Sequence, residues 1–198
     1  MPNHKLRHFV GEIAALIDAK PAEPELLERG AAALKNLIRV DDWLPDAFAQ
    51  PSAERYQQYL LYADVQQRFS VVSFVWGPGQ ATPIHDHTVW GLIGVLRGAE
   101  LAASFERQDD GVLRQWGEEM RLETGAVEAV SPRIGDIHRV RNAYDDRVSV
   151  SIHVYGANIG AVERSTYTPD GLGKPFISGY SNETIPNLWD LSKERRHS

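Results

Sequence analysis

Two histidines separated by one residue are the clearest chemical feature of the chain. His85 and His87 lie in the segment PIHDHTVWG, residues 83–91. Side chains at positions i and i+2 of a β-strand point to the same face, so both imidazoles are expected to enter one interior while Asp86 points away. Two imidazoles on one strand suit a divalent transition metal. The same spacing also fits an alternative, in which the two histidines are polar residues near a loop that interact with Asp86 or Thr88.

The composition restricts which groups can complete such a site. The 198 residues include no cysteine, so a metal must be held by His, Asp or Glu, and no disulfide can form. A net charge of −6 argues against a nucleic-acid surface, which needs clustered Lys and Arg. No apolar run approaches the ~20 residues that span a bilayer, and the first residues lack a signal-peptide core. We therefore expect a cytoplasmic protein with neither a nucleic-acid nor a membrane partner.

The hydrophobic pattern predicts the elements that position these histidines. Two amphipathic helices are indicated by HFVGEIAALIDA and by PELLERGAAALKNLIRV, whose Pro24 is a good first-turn residue. The segment SAERYQQYLLYA, residues 52–63, is predicted as a third short helix capped by Ser52. From Arg68 onward, short segments rich in Val, Ile and aromatic residues are separated by Gly, Pro, Asp and Asn. This pattern predicts an antiparallel sandwich or barrel.

These elements predict one domain that covers residues 1–198. The fold class is mainly β, a small double-sheet β-barrel or jelly roll with N-terminal helices packed outside. Residues 1–62 form the mainly helical part, residues 68–180 the barrel core and residues 190–198 a solvated tail. The pattern contains no internal repeat and does not indicate an oligomeric state.

A third histidine, His138, lies in the later segment PRIGDIHRVRN, between Gly135 and Asn142. The combined series is Gly79, His85, His87, Gly91, Gly98, Gly135, His138 and Asn142. In order and spacing it resembles the two sequence motifs of the cupin superfamily. The resemblance implies a cupin double-sheet barrel in which His85, His87 and His138 converge on a metal.

Gly91 occupies the position at which many cupins carry a metal-binding glutamate. A glycine binds nothing, so the implied site consists of three neutral imidazoles. A divalent ion there keeps its full charge and up to three open positions in an octahedral shell, which favours anionic ligands such as a thiolate and leaves room for dioxygen. The glycine also has a packing interpretation, in which a bulky neighbour such as Trp90 needs the space.

The resemblance narrows in the run FVWGPGQATPIHDHTVWGLIGVLRG, which is similar to the bacterial thiol dioxygenases, relatives of cysteine dioxygenase. It extends from about Arg55 to about Arg164. These enzymes use Fe(II) held by three histidines to insert both atoms of O₂ into a small-molecule thiol, giving a sulfinate. The resemblance favours 3-mercaptopropionate as substrate, ahead of cysteine or mercaptosuccinate.

Three polar residues alternate with apolar ones in SVSIHVYGAN. Ser151, His153 and Tyr155 share one strand face, and Ile152 and Val154 share the other. Periodicity alone also fits an edge strand with a solvated polar face. The thiol dioxygenases carry the same Ser-x-His-x-Tyr series beside their iron, so the resemblance implies a catalytic set in which Tyr155 donates a hydrogen bond. A cross-link from a cysteine to this tyrosine, found in animal enzymes, cannot form here.

The substrate carboxylate needs a cationic or polar partner. Animal cysteine dioxygenases use an arginine in a segment that matches YQQYLL, where this chain has Gln58. The resemblance to enzymes of the glutamine type implies that Arg164 binds the carboxylate, with Gln58 in support. A surface arginine paired with Glu163 explains Arg164 equally well from the residues alone.

Two other functions remain compatible with the sequence. One is a cupin dioxygenase or isomerase of different chemistry, for which the Ser-His-Tyr face and Arg164 would be coincidental. The other is a non-catalytic cupin that binds a metal or small ligand. Thiol-dependent O₂ consumption separates both from a thiol dioxygenase.

Overall fold

The computed structural model describes residues 3–191, in which two α-helices precede eleven strands. The helices are α1 (Asn3–Asp18) and α2 (Glu23–Ile38). The strands are β1 (Gln57–Ala63), β2 (Ser70–Trp76), β3 (Ile84–His85), β4 (Gly91–Arg97), β5 (Ala99–Arg107), β6 (Leu113–Glu123), β7 (Val127–Val130), β8 (His138–Asn142), β9 (Ser149–Tyr155), β10 (Arg164–Tyr167) and β11 (Gly173–Phe176). Most of the predicted tail, residues 192–198, lies outside the described residues. The assignment of the whole chain to one domain stays a prediction.

The strands form two antiparallel sheets. One has the order β1-β2-β9-β4-β7, and the other has the order β11-β10-β3-β8-β5-β6. Side chains from both sheets meet in one buried cluster, to which β2 contributes Phe74 and Trp76, β5 contributes Ala102 and β8 contributes Val140. The predicted fold class, a mainly β double-sheet barrel, is therefore confirmed.

The two predicted N-terminal helices are confirmed, and both pack on the outer face of the first sheet. Buried residues of α2, among them Leu34 and Ile38, share a core with Leu92 of β4 and Ile152 of β9. The inward faces of β4 and β9 thus remain available for the barrel interior. No helix in residues 3–191 combines the length and apolar character needed to cross a membrane. The cytoplasmic location stays a prediction.

The predicted third helix is wrong, because most of that segment is strand β1. It pairs with β2, with Gln58 opposite Phe74. The Ser52 hydroxyl accepts a hydrogen bond from the Glu54 N–H, but in a bend that does not continue as a helix. Pairing with a buried strand overrides local helix preference, since strand formation depends on neighbours that a single segment does not reveal.

One strand had no sequence signal at all. β6 is mostly exposed along its length and lies at the edge of the second sheet. The pattern of charged residues there lacks the apolar alternation of a half-buried strand. The residues Asp109-Asp110-Gly111 lie in the turn that joins β5 to β6.

Candidate metal centre and adjoining pocket

Three buried histidines converge inside the barrel. His85 on β3 lies directly opposite His138 on β8, and His87 follows two residues after His85. One ring nitrogen from each of the three lies within 4.8 Å of the others. The two strands come from distant parts of the chain, so the cluster exists only because β3 and β8 are neighbours in the second sheet.

The charge state of these rings suits metal binding. Burial lowers the pKa of His85 to about 4, and burial also holds the pKa values of His87 and His138 well below the usual range. All three are therefore neutral near pH 7, which is the ligating form of imidazole. Within the described residues, both ring nitrogens of His87 are buried without a hydrogen-bond partner. An unsatisfied buried nitrogen costs about 1–3 kcal/mol, a cost that a bound metal would remove.

Hydrogen bonds from outside the cluster orient the His85 ring and hold the backbone at His87. Nδ1 of His85 lies 3.1 Å from the carbonyl oxygen of Pro83, which favours the tautomer with Nε2 free for a metal. A carboxylate oxygen of Asp136 accepts hydrogen bonds from the backbone N–H groups of His87 and Thr88. These contacts fix the short loop that carries His87.

Asp86 is not a partner of the flanking histidines. Its carboxylate accepts hydrogen bonds from the Ser165 N–H, at 2.8 Å, and from the Tyr167 hydroxyl, at 2.6 Å. Both partners lie on β10, so Asp86 joins this strand to β3. The alternative in which the two histidines pair with Asp86 does not describe the structure.

Gly91 is explained by the tyrosine that faces it. Gly91 lies opposite Tyr155 in the pairing of β4 with β9. A Cβ atom at Gly91 would lie 2.9 Å from Cδ1 of Tyr155 and 3.0 Å from Cγ2 of Val130. The expected bulky neighbour, Trp90, is the wrong residue, because its indole packs over Gly156 instead. The missing side chain therefore makes room for the Tyr155 ring, which is stacked with the His87 ring at a centroid distance of 5.4 Å.

Replacing Gly91 by alanine is expected to destabilise the protein by about 1–3 kcal/mol, because the added methyl must displace the Tyr155 ring or Val130. Gly11→Ala is the matched control: a Cβ there meets no atom within 4 Å, and Gly11 lies in helix α1. The control is expected to be neutral or to stabilise by up to about 1 kcal/mol. Urea unfolding measures both changes, and equal stability of the two variants would contradict the packing explanation.

A continuous hydrogen-bonded chain runs along β9. The Ser151 hydroxyl lies 2.8 Å from Nε2 of His153, and Nδ1 of His153 lies 2.8 Å from the Tyr155 hydroxyl. The Trp76 indole N–H donates to the Ser151 hydroxyl at 3.2 Å. Because β9 is central in its sheet and buried at every position, it is not a solvated edge strand. Burial lowers the pKa of His153 to about 3 and raises the pKa of Tyr155 well above its usual range, so both side chains are neutral.

Arg164 is a buried cation whose charge acts on the histidine cluster. It is 5% exposed, so it is not a surface residue, and Glu163 is not among the charged groups of residues 3–191 that act on it. One guanidinium nitrogen donates to the Ser178 hydroxyl at 2.9 Å, while the buried Nε has no partner among the described residues. The guanidinium charge helps to lower the pKa values of His85 and His87, which places it beside the histidine cluster. The guanidinium carbon also lies over the Phe176 ring, 4.7 Å from its centroid, so the contacts of this buried charge are a cation–π contact and the hydroxyl of Ser178.

Gln58 makes no side-chain hydrogen bond in the described residues that defines its role. Its backbone exchanges hydrogen bonds with Ser181, through the Ser181 hydroxyl and the Ser181 N–H. A groove beside it is lined by Arg55, Tyr56, Gln58, Ser178, Gly179, Tyr180 and Ser181. Ser178 lines this groove and also accepts a hydrogen bond from Arg164, so it links the groove to the guanidinium.

Two tyrosines of this pocket were missed from the sequence. Tyr56 stacks on Trp76 with ring centroids 4.9 Å apart, and its pKa is raised by burial and lowered in part by Arg164. The Tyr180 hydroxyl accepts a hydrogen bond from the Gly160 N–H. Burial raises the pKa of Tyr180, and the charge of Arg164 lowers it in part. Both lie in segments without periodicity, and only the fold brings them to the guanidinium.

Glu100 on β5 is a second group that the sequence did not single out. Its side chain is fully buried, and neither carboxyl oxygen has a hydrogen-bond partner in the described residues. Burial raises the pKa of Glu100 to about 7. The Ser151 hydroxyl and the Trp76 indole lie near enough to lower this pKa, although neither reaches hydrogen-bond geometry, and Glu128 raises it.

Replacing Glu100 by glutamine is expected to remove a loss of stability at high pH. The folded state raises the pKa from 4.5 to about 7 and so holds the proton more tightly than the unfolded state. Relative to the variant, the wild type therefore has its highest free energy of unfolding below pH about 4.5. This relative free energy falls by about 3 kcal/mol as the pH rises past 7. Urea unfolding at pH about 5 and about 8 measures this difference. Glu106→Gln, at an exposed position on the same strand, is the control. A stability difference between the wild type and Glu100→Gln that is the same at both pH values would contradict the raised pKa of Glu100.

Two antiparallel sheets closed around a cluster of three histidines define the chain as a cupin. Solved structures of similar fold include a Klebsiella pneumoniae protein with a double-stranded β-helix domain, 19% identical, with a TM-score of 0.46, covering 58% of this chain and 84% of that one. Another is an RmlC-like cupin protein from Desulfovibrio desulfuricans, 22% identical, with a TM-score of 0.43, covering 59% of this chain and 95% of that one.

The family follows from the sequence model of cysteine dioxygenase type I, which matches residues 29–165. This match spans more than half of the chain, and the protein belongs to that family. It begins within α2, so the relationship includes a helix that the motifs themselves do not reach.

Proposed function

We propose that the protein is a non-haem Fe(II) thiol dioxygenase that converts a small mercapto acid and O₂ to the sulfinate. Membership of the cysteine dioxygenase type I family supports the reaction class. The observation that carries the proposal is the buried Arg164 guanidinium, which lacks a carboxylate ion pair in residues 3–191 and whose charge acts on His85 and His87. A cation beside a metal site can hold the carboxylate of a substrate whose thiol reaches the metal. Our first choice of substrate is 3-mercaptopropionate, ahead of cysteine and mercaptosuccinate.

His85, His87 and His138 would hold the iron. They fit it because all three are buried and neutral, and because imidazole suits iron among the first-row metals. Bound Fe(II) supplies open positions for a thiolate and the electrons that activate dioxygen. The overall reaction balances without another reductant, since a thiol and O₂ together contain the atoms of the sulfinic acid.

Arg164 would bind the substrate carboxylate through charge-assisted hydrogen bonds, and Gln58 would add a neutral one. A guanidinium presents parallel N–H groups that match the two oxygens of a carboxylate. The buried Nε without a partner in the described residues supports this role. Binding of the carboxylate at Arg164 thereby positions the thiol of the same substrate at the three histidines.

Tyr155 would donate a hydrogen bond to the reacting atoms, with His153 and Ser151 holding its hydroxyl. Its ring already stacks beside His87, and its raised pKa keeps the proton on oxygen. With no cysteine in the chain, the tyrosine acts as an unmodified phenol. Apolar side chains surround the hydrogen bonds of Ser151, His153 and Tyr155 and would exclude competing water. One of them is Phe74, whose ring is stacked on that of His153 with centroids 4.1 Å apart.

Oxygen uptake by the Fe(II)-loaded protein tests this proposal on a panel of 3-mercaptopropionate, cysteine, mercaptosuccinate and cysteamine. We expect uptake with a carboxylated thiol, matched by sulfinate formation. Cysteamine lacks the carboxylate and is expected to react much more slowly. Absence of uptake with every thiol, despite bound iron, would overturn the proposed reaction and leave another cupin chemistry or simple ligand binding.

A further inference from the structure

The buried Glu100 carboxyl adjoins the end of the β9 hydrogen-bonded chain that is farther from the histidine cluster. The Ser151 hydroxyl and the Trp76 indole are the polar groups that act on it most strongly. In register, its strand neighbours are Leu122 on β6 and Asn142 on β8. The Asn142 side-chain N–H₂ already donates to backbone carbonyls, one of them that of Trp76. The carboxyl therefore has Ser151 as its route into the chain.

The chain from Ser151 to Tyr155 permits two directions of donation. Neutral His153 carries one proton, on either Nδ1 or Nε2, and each hydroxyl carries one. With the proton on Nδ1, His153 donates to the Tyr155 oxygen and accepts from Ser151, so the tyrosine O–H is free to donate elsewhere. With the proton on Nε2, His153 donates to Ser151 and accepts from Tyr155, so the tyrosine O–H is occupied.

A group beyond Ser151 selects between these directions. In the proposed arrangement, a protonated Glu100 turns to donate to the Ser151 oxygen, and the serine hydrogen then points to His153. An ionised Glu100 would instead accept the serine hydrogen, and His153 must then donate from Nε2. We propose that Glu100 is a positioning residue whose proton sets the direction of the Ser151–His153–Tyr155 chain, and with it whether the Tyr155 hydroxyl donates towards the three histidines.

Other charged groups tune this switch. Glu128 on β7, itself half-buried with one unpartnered carboxyl oxygen in the described residues, disfavours ionisation of Glu100. His153 and Tyr155 on β9 face the same interior and are neutral. β2 presents Trp76, β4 presents Val95, β6 presents Leu122 and β8 presents Asn142, none of which titrates. Because burial and Glu128 bring the pKa of Glu100 to about 7, the switch operates near neutral pH.

The consequence for activity rests on the proposed function. If Tyr155 assists thiol oxidation by donating a hydrogen bond, the competent form has a protonated Glu100. Activity should then fall as the pH rises through about 7, for a reason that involves neither the metal nor the substrate. A purely structural role for Glu100 would not produce this dependence.

The first test reads the His153 tautomer directly. Side-chain ¹⁵N NMR of the full-length protein loaded with diamagnetic Zn²⁺, with His153→Gln for assignment, is expected to show Nδ1–H at pH about 6 and Nε2–H at pH about 8. In Glu100→Leu, which neither donates nor accepts, the tautomer should be Nδ1–H at both pH values. Glu128→Gln should move the midpoint to lower pH. A wild-type tautomer that does not change with pH, or a Glu100→Leu protein that changes like the wild type, would overturn the inference.

Two further variants protect the test against misfolding. Glu100→Gln preserves the shape of the side chain and should abolish the pH dependence of the tautomer. Ser151→Ala leaves Glu100 in place but breaks the connection, and it should abolish the pH dependence as well. Retention of the wild-type response in either one counts against the inference.

The pH profile of kcat/KM for 3-mercaptopropionate supplies the functional readout. The wild type should lose activity above pH about 7, whereas Glu100→Gln should not lose it in that range. Because NMR needs no turnover, a tautomer switch in a protein that oxidises no thiol would refute only the proposed function. Thiol oxidation without a tautomer switch would refute only the role of Glu100.

Discussion

His138→Ala is expected to lose iron affinity and thiol oxidation by more than about 100-fold. Losing an outer partner of a metal ligand already costs about 10–100-fold, and this change removes one of three ligands. The remaining pair, His85 and His87, comes from one short segment and cannot enclose a metal from two sides. Iron content after gel filtration and oxygen uptake with 3-mercaptopropionate measure the two losses.

His8→Ala is the control for this experiment. His8 lies on the exposed side of α1, where its ring is 3.5 Å from Glu12, so the variant should bind iron and oxidise thiols like the wild type. Circular dichroism checks that His138→Ala retains the sheets. A folded His138→Ala protein with full iron and full activity would refute the three-histidine centre.

Arg164→Gln is expected to lower kcat/KM for 3-mercaptopropionate by about 10–100-fold. A hydrogen bond to a charged group contributes about 1.5–3 kcal/mol, and each 1.4 kcal/mol corresponds to a factor of ten. The guanidinium is buried, so water cannot replace it at the substrate carboxylate. The rate with cysteamine should change far less, because that thiol has no carboxylate to lose its partner.

The comparison of the two thiols distinguishes substrate binding from damage to the fold. Arg164→Lys retains the charge but not the paired N–H groups, and it should give an intermediate loss. Arg29→Gln, an exposed arginine paired with Glu25 on α2, is the control and should leave both rates unchanged. An equal loss with cysteamine and 3-mercaptopropionate would show that Arg164 does not select a carboxylate.

The sequence predicted the parts of the site that have local periodicity or a family motif. The spacing of His85 and His87 and the alternation of Ser151, His153 and Tyr155 are visible in single segments. Glu100 shows the limit of such reasoning. It sits in the apolar segment ELAASFER, and its relation to Ser151 arises only when β5 approaches β9 across the barrel.

The errors have the same origin. β1 resembled a helix because the tyrosines and leucines of YQQYLLYA fit both periods, and its pairing with β2 decides between them. The reason for Gly91 was assigned to its chain neighbour Trp90, whereas the contact that matters is with Tyr155 on the adjacent strand. Neighbours across a sheet are set by register, which a single sequence does not contain.

The most direct test of the proposed reaction is to incubate the Fe(II)-loaded protein with 3-mercaptopropionate under ¹⁸O₂ and to analyse the product by mass spectrometry. We expect a sulfinate in which both new oxygen atoms carry the label, because the proposed reaction transfers both atoms of one O₂ to sulfur. A product whose new oxygens come from water, or a disulfide in place of the sulfinate, would contradict it.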